Sequence, residues 1–187
     1  MNSIDACLLK AILDETLSVD RYRTYAQKAE EEEYYQIAAY FEQIANNERE
    51  HAERFRKLLN NKTAIVNNIA TDYQVSDKTE ENLLISIKYE LDAIEEYKDF
   101  ELMSSAKGYR EIATAFKEIK EVEEHHVKIF NTFKDNIQNN LVYRRKTVEA
   151  WHCRNCGYVH YGTEPPKPTC PACKETYRYY EILATNY

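Results

Sequence analysis

An internal duplication constrains this chain more than any other feature of its sequence. A lone glutamate is followed 33 residues later by a Glu-x-x-His motif, and the same arrangement recurs 75 residues further on. Between residues 12 and 55, the first copy shares eleven identical residues with the second without a gap. The repeated acidic and histidine residues are Glu15, Glu48 and His51 in the first copy and Glu90, Glu123 and His126 in the second. Two helix pairs carrying this set hold a carboxylate-bridged pair of metal ions inside four-helix bundles. The duplication therefore predicts such a bundle and such a site.

The distribution of helix breakers agrees with a helical first part. All four prolines and two of the three glycines lie beyond residue 156, and the residues before them are rich in good helix formers. Apolar periodicity predicts four helices, at about residues 5–30, 34–59, 77–106 and 109–137. Two helical hairpins joined by one long crossover form a ferritin-like four-helix bundle.

The expected ends of these helices follow from local sequence signals. The run of glutamates at 30–33 marks the first turn, and Gly108 stands where the third helix should end. Residues 60–76 have poor helix propensity and predict the long crossover. Asp77 and Glu80 have the spacing of a capping box, which predicts the start of the third helix.

The spacing of the motifs predicts how the metals are held. Residues three apart share a helix face, so Glu48 and His51 can bind together, with the carboxylate bridging two metals and the imidazole binding one. Glu123 and His126 repeat this arrangement, whereas Glu15 and Glu90 would each bind a single metal. Such a mixed oxygen and nitrogen ligand set favours iron or manganese over structural zinc.

Two tyrosines share the same 75-residue offset. Tyr22 and Tyr97 lie seven residues after Glu15 and Glu90, two turns along the same helix. Their hydroxyls are expected to hydrogen-bond to metal-binding carboxylates. His125 has no glutamate three residues before it and is interpreted as a bystander.

Four of the five cysteines form a second candidate metal site. Cys153 and Cys156 form one Cys-x-x-Cys motif, Cys170 and Cys173 form another, and thirteen residues separate the two motifs. Two such motifs build a tetrahedral thiolate cage for iron or for zinc, and a structural zinc ribbon is the alternative to redox iron. Cys7, the remaining cysteine, is expected to pack as a small apolar residue.

These patterns predict two domains, a four-helix bundle over residues 1–146 and a small metal-bound domain over residues 147–187. A unit of about 40 residues buries too little core to be stable by itself, and a metal ion bound by the four cysteines can supply the missing stability.

Charge and hydropathy exclude several classes of partner. The formal net charge of −7 and the lack of a basic cluster argue against nucleic acid. No stretch approaches 18 apolar residues, so no membrane span is expected. The first residues lack the shape of a signal peptide, which predicts a cytoplasmic protein.

The chain resembles the rubrerythrin family along nearly its full length. The segments NNEREHAERF and EVEEHHVKIF resemble the second- and fourth-helix motifs of that family. WHCRNCGYVHYGTEPPKPTCPACK resembles its C-terminal rubredoxin-like domain. The resemblance implies that the six repeated residues bind two non-haem irons and that the four cysteines bind one more.

The resemblance also implies a function. It implies a peroxidase that reduces hydrogen peroxide to water and protects the cell from oxidative stress. The sequence leaves dioxygen open as the alternative oxidant. The resemblance further implies a homodimer, in which the rubredoxin-type iron of one subunit feeds the di-iron site of the other, and an upstream electron donor such as a reductase or rubredoxin. The alternative is a ferritin-like ferroxidase or iron-binding protein with a structural zinc ribbon.

One position departs from the family. The third helix of rubrerythrins usually carries a further ligating glutamate, three residues after the first, on a one-residue bulge. Here Ala93 stands three residues after Glu90, and the 75-residue register leaves no room for an insertion before Tyr97. Asp92 is the nearest carboxylate. The sequence therefore predicts a regular third helix and a di-metal site with equivalent halves.

Overall fold

The computed structural model describes residues 3–59 and 73–185. Four long helices come first, α1 (Ser3–Glu31), α2 (Tyr35–Leu58), α3 (Thr79–Ala106) and α4 (Arg110–Gln138). Three short strands follow, β1 (Glu149–Cys153), β2 (Val159–Gly162) and β3 (Tyr180–Ile182), with a 3-10 turn at Tyr177–Tyr179 before β3. The predicted ferritin-like bundle followed by a small domain is confirmed.

The helices pair as two hairpins. α1 packs mainly on α2 and α3 mainly on α4, and contacts of α1 with α3 and of α2 with α4 close the bundle. Glu33 and Gly108, in the two tight turns, have left-handed backbones with φ of 61° and 82°, a conformation that ends a helix. The predicted positions of both turns are confirmed. Most of the predicted crossover lies outside the described residues.

The predicted capping box at the start of α3 is wrong. Lys78 is the N-cap residue, and its side chain makes no capping hydrogen bond to the helix. The carboxylate of Glu32, at the end of α1, accepts a hydrogen bond from the backbone N–H of Thr79 instead. Asn82 bonds to the backbone of Ser76 at 2.8 Å through both atoms of its amide. A residue from the neighbouring hairpin thus satisfies an amide that local sequence left open.

Two apolar clusters fill the bundle, one on each side of the glutamates. The first core cluster includes Ile4, Leu8 and Ile12, and the second includes Tyr25 and Ala29. Residues related by the 75-residue offset fall into different clusters. The pairs, first-cluster member first, are Phe55 with Phe130, Phe116 with Phe41, and Tyr97 with Tyr22. The duplication is therefore expressed as an approximate two-fold symmetry that exchanges the clusters and leaves the acidic layer at the centre.

The small domain is a three-stranded antiparallel sheet in the order β2-β1-β3. Its core consists of Trp151, Cys153, Cys170 and Tyr180, all buried. It rests on the turn between α1 and α2, where the rings of Tyr35 and Tyr179 stack with centroids 3.9 Å apart. This contact joins the small domain to the bundle.

Two further expectations concern single residues and hydropathy. Cys7 is buried in the first core cluster, as predicted. Within the part of the chain that the structure describes, no helix is long and apolar enough to cross a membrane.

Candidate di-metal centre and four-cysteine site

The bundle brings all six repeated residues together. Their ligand atoms form two groups, each with all atoms within 4.8 Å of one another. The first group contains Glu15 and His51, the second contains Glu90 and His126, and both contain Glu48 and Glu123. Each helix contributes a glutamate near its middle, between residues of the two core clusters. His125, interpreted as a bystander, is exposed.

The shared glutamates are arranged as bridges. Glu48 places Oε2 at 3.0 Å from Nδ1 of His51 and Oε1 at 3.1 Å from Nδ1 of His126. Glu123 places Oε1 at 3.0 Å from Nδ1 of His51 and Oε2 at 2.8 Å from Nδ1 of His126. Each carboxylate therefore offers one oxygen to each centre.

The other two glutamates each reach one centre. Glu15 lies 3.6 Å from Nδ1 of His51, and Glu90 lies 3.8 Å from Nδ1 of His126. The two imidazole rings are 6.0 Å apart. Two of the four carboxylates therefore reach both histidines, and the other two reach one histidine each.

Unsatisfied buried atoms show that the cluster fits metal ions. Oε1 of Glu48, both carboxylate oxygens of Glu123 and Nδ1 of His126 are buried without a hydrogen-bond partner. These atoms lie within ion-pair distance of one another, yet they are not aligned as donor and acceptor. Uncompensated buried polar atoms are costly. Ligand atoms that converge on a common point are satisfied by a cation at that point.

The electrostatics of the site also favour the binding of cations. Burial raises the pKa of Glu15 and of Glu90 well above the usual value, and repulsion from Glu48 and Glu123 adds to the increase. Burial opposes the charged form of His126, but the carboxylates of Glu123 and Glu48, within ion-pair distance of its ring, raise its pKa to about 9. Burial likewise acts against the charge on His51, and the surrounding carboxylates outweigh it and raise its pKa. Protons held here compete with divalent cations for the same atoms.

The two repeated tyrosines donate to metal-site carboxylates, but across the bundle. Tyr22 on α1 donates its hydroxyl to Oε1 of Glu90 on α3, and Tyr97 on α3 donates to Oε1 of Glu15 on α1. All four residues are buried. Each tyrosine hydroxyl contacts a glutamate, as predicted. The glutamate that accepts the hydrogen bond lies on the opposite helix and not on the helix of the tyrosine. Each terminal carboxylate is thereby held by the other hairpin.

A cleft between α1 and α3 opens onto this site. It has a volume of about 360 Å³, and Glu15, Glu48, Glu90 and Glu123 form its floor. Ala93 lies in its wall, and α3 runs through this position as a continuous α-helix without a bulge. Asp92 is exposed and belongs to neither ligand group. The prediction of a regular third helix is confirmed.

The four cysteines form a cage in the small domain. The Sγ atoms of Cys153 and Cys173 are 3.9 Å apart, and those of Cys156 and Cys170 are 3.7 Å apart. A tetrahedron with metal–sulfur bonds of about 2.3 Å has edges of about 3.8 Å, so the cage fits one metal ion. None of the four forms a disulfide.

Local backbone turns build the two halves of the cage. The amide of Gly157 bonds to the carbonyl oxygen of Cys153 at 2.8 Å, and that of Lys174 bonds to Cys170 at 2.9 Å. Gly157 and Lys174 both adopt left-handed backbones, with φ of 81° and 67°. Each Cys-x-x-Cys segment therefore closes a turn that aims both sulfurs to the same side.

Sequence reasoning missed one residue of this cage. Tyr180 is buried and donates its hydroxyl to Sγ of Cys170 at 3.1 Å. Burial would raise the pKa of Cys170, but this hydrogen bond and nearby backbone amides lower it to about 6, which favours a thiolate ligand. Three tyrosines occur within residues 177–180, and nothing in the local sequence distinguishes this one.

Comparisons with known proteins agree with both sites. A family model described as Rubrerythrin matches residues 6–80 and 81–154, two segments whose starts are 75 residues apart, and one described as Rubrerythrin, rubredoxin-like domain, matches residues 151–181. Rubrerythrin-1 of Clostridium acetobutylicum is 36% identical over 184 residues, covering 96% of this chain and 94% of that protein. Rubrerythrin of Nitratidesulfovibrio vulgaris is 35% identical over 181 residues, with the same coverage.

A solved structure supports the fold alone. Nigerythrin in its fully reduced, all-ferrous state superposes with a TM-score of 0.68 at 22% identity, covering 98% of this chain and 88% of that one. The family matches favour rubredoxin-type iron over the structural zinc ribbon. The chain belongs to the rubrerythrin family, with a di-iron domain in its helical bundle and a rubredoxin-like iron domain at its C-terminal end.

Proposed function

We propose that this protein is a peroxidase that reduces hydrogen peroxide to water and protects the cell from oxidative stress. One observation carries the proposal: the chain combines an accessible oxygen and nitrogen site at the floor of a cleft with an enclosed four-thiolate cage. Hard ligands that leave metal positions open suit reaction with a small oxidant, whereas four thiolates suit an iron that only transfers electrons. The proposed di-iron ligands are Glu15, Glu48, His51, Glu90, Glu123 and His126. The proposed ligands of the single iron are Cys153, Cys156, Cys170 and Cys173.

The protein residues position the reaction and limit water access. Iron bound in the bundle would supply the two electrons that, with two protons, convert H₂O₂ into two water molecules. Tyr22 and Tyr97 hold Glu90 and Glu15 in place and offer hydroxyl protons next to the site. The two core clusters close the site along the bundle axis, which leaves the cleft as the route of entry for peroxide.

The small domain is the proposed entry point for electrons, which come from a reductase or a rubredoxin. We place the domain boundary between residues 146 and 147, inside a stretch without helix or strand that runs from residue 139 to 148. Besides the stacked rings of Tyr35 and Tyr179, Tyr143 donates to the backbone oxygens of Glu33 and Arg178 at 3.0 Å each. These contacts hold the small domain in one position on the bundle. The free cysteines suit a reducing cytoplasm.

A homodimer is supported by an apolar stripe on α3. Leu84, Leu91 and Leu102 are 47%, 49% and 61% exposed, and their spacings of seven and eleven residues place them on one helix face. Exposed apolar stripes of this kind mark association surfaces. A second subunit covering the stripe would also allow electron transfer between the small domain of one subunit and the di-iron site of the other.

A second candidate function rests on Ala93. Where the family usually supplies a further carboxylate, this chain has a methyl group in the cleft wall, and two equivalent metal positions suit oxidation of ferrous iron by dioxygen. This alternative is a ferritin-like ferroxidase or iron-binding protein.

Stopped-flow spectroscopy tests the proposal. The iron-loaded protein is reduced without oxygen and mixed separately with peroxide and with dioxygen, while absorption from the thiolate-bound iron and from the di-iron centre is followed. We expect rapid oxidation by peroxide, with one peroxide consumed per two electrons, and slower oxidation by dioxygen. Faster oxidation by dioxygen, together with repeated turnover of added ferrous iron, would instead support the ferroxidase.

A further inference from the structure

The cleft above the di-metal site is larger than hydrogen peroxide requires. Its volume is about 360 Å³, whereas a water molecule occupies about 30 Å³ in the liquid, and peroxide has only two oxygen atoms. Cavities that bind organic ligands begin at about 300 Å³. Two metal ions at the floor would fill only a small part of this space.

The wall of the cleft suits an organic group. Leu17 of α1 lines it together with Ala93 and Tyr89 of α3. Since Ala93 ends in a methyl group, it leaves open the space that a longer side chain would occupy directly above the glutamates. Apolar and aromatic atoms next to a polar floor are the usual composition of a small-molecule site.

Arg21 supplies a buried positive charge in the same cleft. It is only 5% exposed, and its Nε is buried without a hydrogen-bond partner. Its guanidinium carbon lies 3.6 Å from the ring centroid of Tyr89, and the hydrogen-bond partner that it has in the described part of the chain is Ser18, at 3.5 Å. Among the described residues no carboxylate forms an ion pair with Arg21, whereas Lys10, at the other end of the cleft, is paired with Asp14 and Glu96. A buried cation without a counter-charge is costly, and an anionic ligand would offset that cost.

We infer that this cleft accepts organic hydroperoxides and that Arg21 makes it prefer those that carry a carboxylate. This inference rests on the proposed peroxidase function. The hydroperoxide oxygens would reach the floor, the organic part would lie against Ala93 and Tyr89, and the carboxylate would pair with Arg21. The O–O bond breaks as two electrons and two protons convert R–OOH into R–OH and water, with the electrons supplied by the same donor as in peroxide reduction.

Steady-state kinetics test the inference with three substrates: hydrogen peroxide, cumene hydroperoxide and cumene hydroperoxide with a para carboxylate. We expect kcat/KM for the carboxylate to exceed that for cumene hydroperoxide by about tenfold or more, in the range of a charge-assisted contact. Arg21→Met should remove this preference, and Arg21→Lys should restore part of it. Ala93→Leu should lower kcat/KM for both organic substrates relative to hydrogen peroxide by about tenfold. Arg23→Met is the matched control, because Arg23 lies two residues away with 48% of its side chain exposed.

Calorimetry provides a readout that does not depend on turnover. The alcohol product of the carboxylate substrate, 4-(2-hydroxypropan-2-yl)benzoate, is titrated into the iron-loaded oxidised protein. We expect binding that weakens by about tenfold in Arg21→Met and is unchanged in Arg23→Met. Turnover of hydrogen peroxide without binding of the alcohol or discrimination between the organic substrates would overturn this inference alone. Alcohol binding that depends on Arg21, without turnover of any peroxide, would overturn the proposed function and retain the anion site.

Discussion

At the scale of single residues, the four buried glutamates of the candidate di-metal site occupy two different positions. Glu48 and Glu123 each face both histidines, whereas Glu15 and Glu90 each face one. A bridging carboxylate places negative charge between two cations that otherwise repel one another. Removing a bridge therefore acts on both metals, and removing a terminal ligand acts on one.

This difference predicts the iron content of three variants. Glu48→Ala and Glu123→Ala should each lose both irons of the bundle and keep the iron of the four-cysteine site. Glu15→Ala should lose mainly the iron that it shares with His51. Iron analysis together with the diferric absorption band measures these losses. Equal, mild losses in all three variants would contradict the bridging assignment.

The tyrosine hydroxyls give a second prediction at this scale. Tyr22→Phe removes the hydrogen bond to Glu90 and should weaken the metal at the His126 centre by about 10–100-fold, as expected for a residue that orients a ligand. Tyr97→Phe should do the same at the His51 centre. Tyr25→Phe is the control, since Tyr25 is equally buried but donates to the backbone oxygen of Gln74. Titration with ferrous iron, followed at each step by absorption, separates the three cases.

At the scale of elements, α3 determines the symmetry of the site. It is continuous from Thr79 to Ala106, so Ala93 stays in the cleft wall, and Asp92 is exposed and belongs to neither ligand group. Each half of the site then supplies one terminal glutamate and one histidine, with the two bridges shared. Within residues 3–59 and 73–185, no further carboxylate belongs to either ligand group.

The regular helix predicts that this protein does not exchange a histidine for a carboxylate when its oxidation state changes. Crystals of the oxidised and the reduced protein should both show six protein ligands, with His51 and His126 bound. Ala93→Glu, which adds a carboxylate at that position, should allow such an exchange and serves as the comparison. Loss of a histidine ligand in the reduced wild-type protein would contradict the prediction.

At the scale of the whole molecule, two metal sites lie in separate structural units. No cysteine of the cage belongs to the duplicated segment, and no residue of the di-metal site belongs to the small domain. The units meet through side-chain contacts such as Tyr35 with Tyr179. Since the small domain has a core of only a few residues, its stability depends on its metal.

Cys170→Ser should therefore unfold the small domain and leave the bundle folded with its di-iron site. Trp151, the only tryptophan of the chain, is fully buried in that small core. Its fluorescence should shift to longer wavelength while helical circular dichroism and di-iron absorption persist, and turnover with an external reductant should collapse. Cys7→Ser, a buried cysteine of the bundle outside either site, is the control. Loss of the di-iron site in Cys170→Ser would show that the two sites depend on each other.

The apolar stripe of α3 gives a prediction about assembly. Leu91→Lys places a charge at the centre of the stripe and should shift the protein toward the monomer, as measured by light scattering over a range of concentrations. Val148→Lys is the control, because Val148 is 68% exposed and lies outside the stripe. A monomeric wild-type protein would contradict the proposed homodimer.

The sequence alone determined the fold class and the regular third helix, and it identified the candidate metal ligands that the fold brings together. Helix periodicity and the 75-residue offset are local and repetitive signals, so they identify which residues share a face and which motifs are equivalent. The grouping of the four cysteines into one cage was also predictable from sequence, because their spacing within each motif is set by a single turn of backbone.

Only the tertiary structure decided which residues meet across the bundle. Tyr22 bonds to Glu90 rather than to a residue of its own helix, Glu32 caps α3 in place of the predicted capping box, and Tyr180 reaches Cys170. The cleft with Arg21 was likewise not foreseen. Each of these features depends on how far apart and at what angle two elements pack, and that geometry is set by the combined volume of the core side chains. The spacing of residues along one helix does not determine the distance and angle between two packed elements.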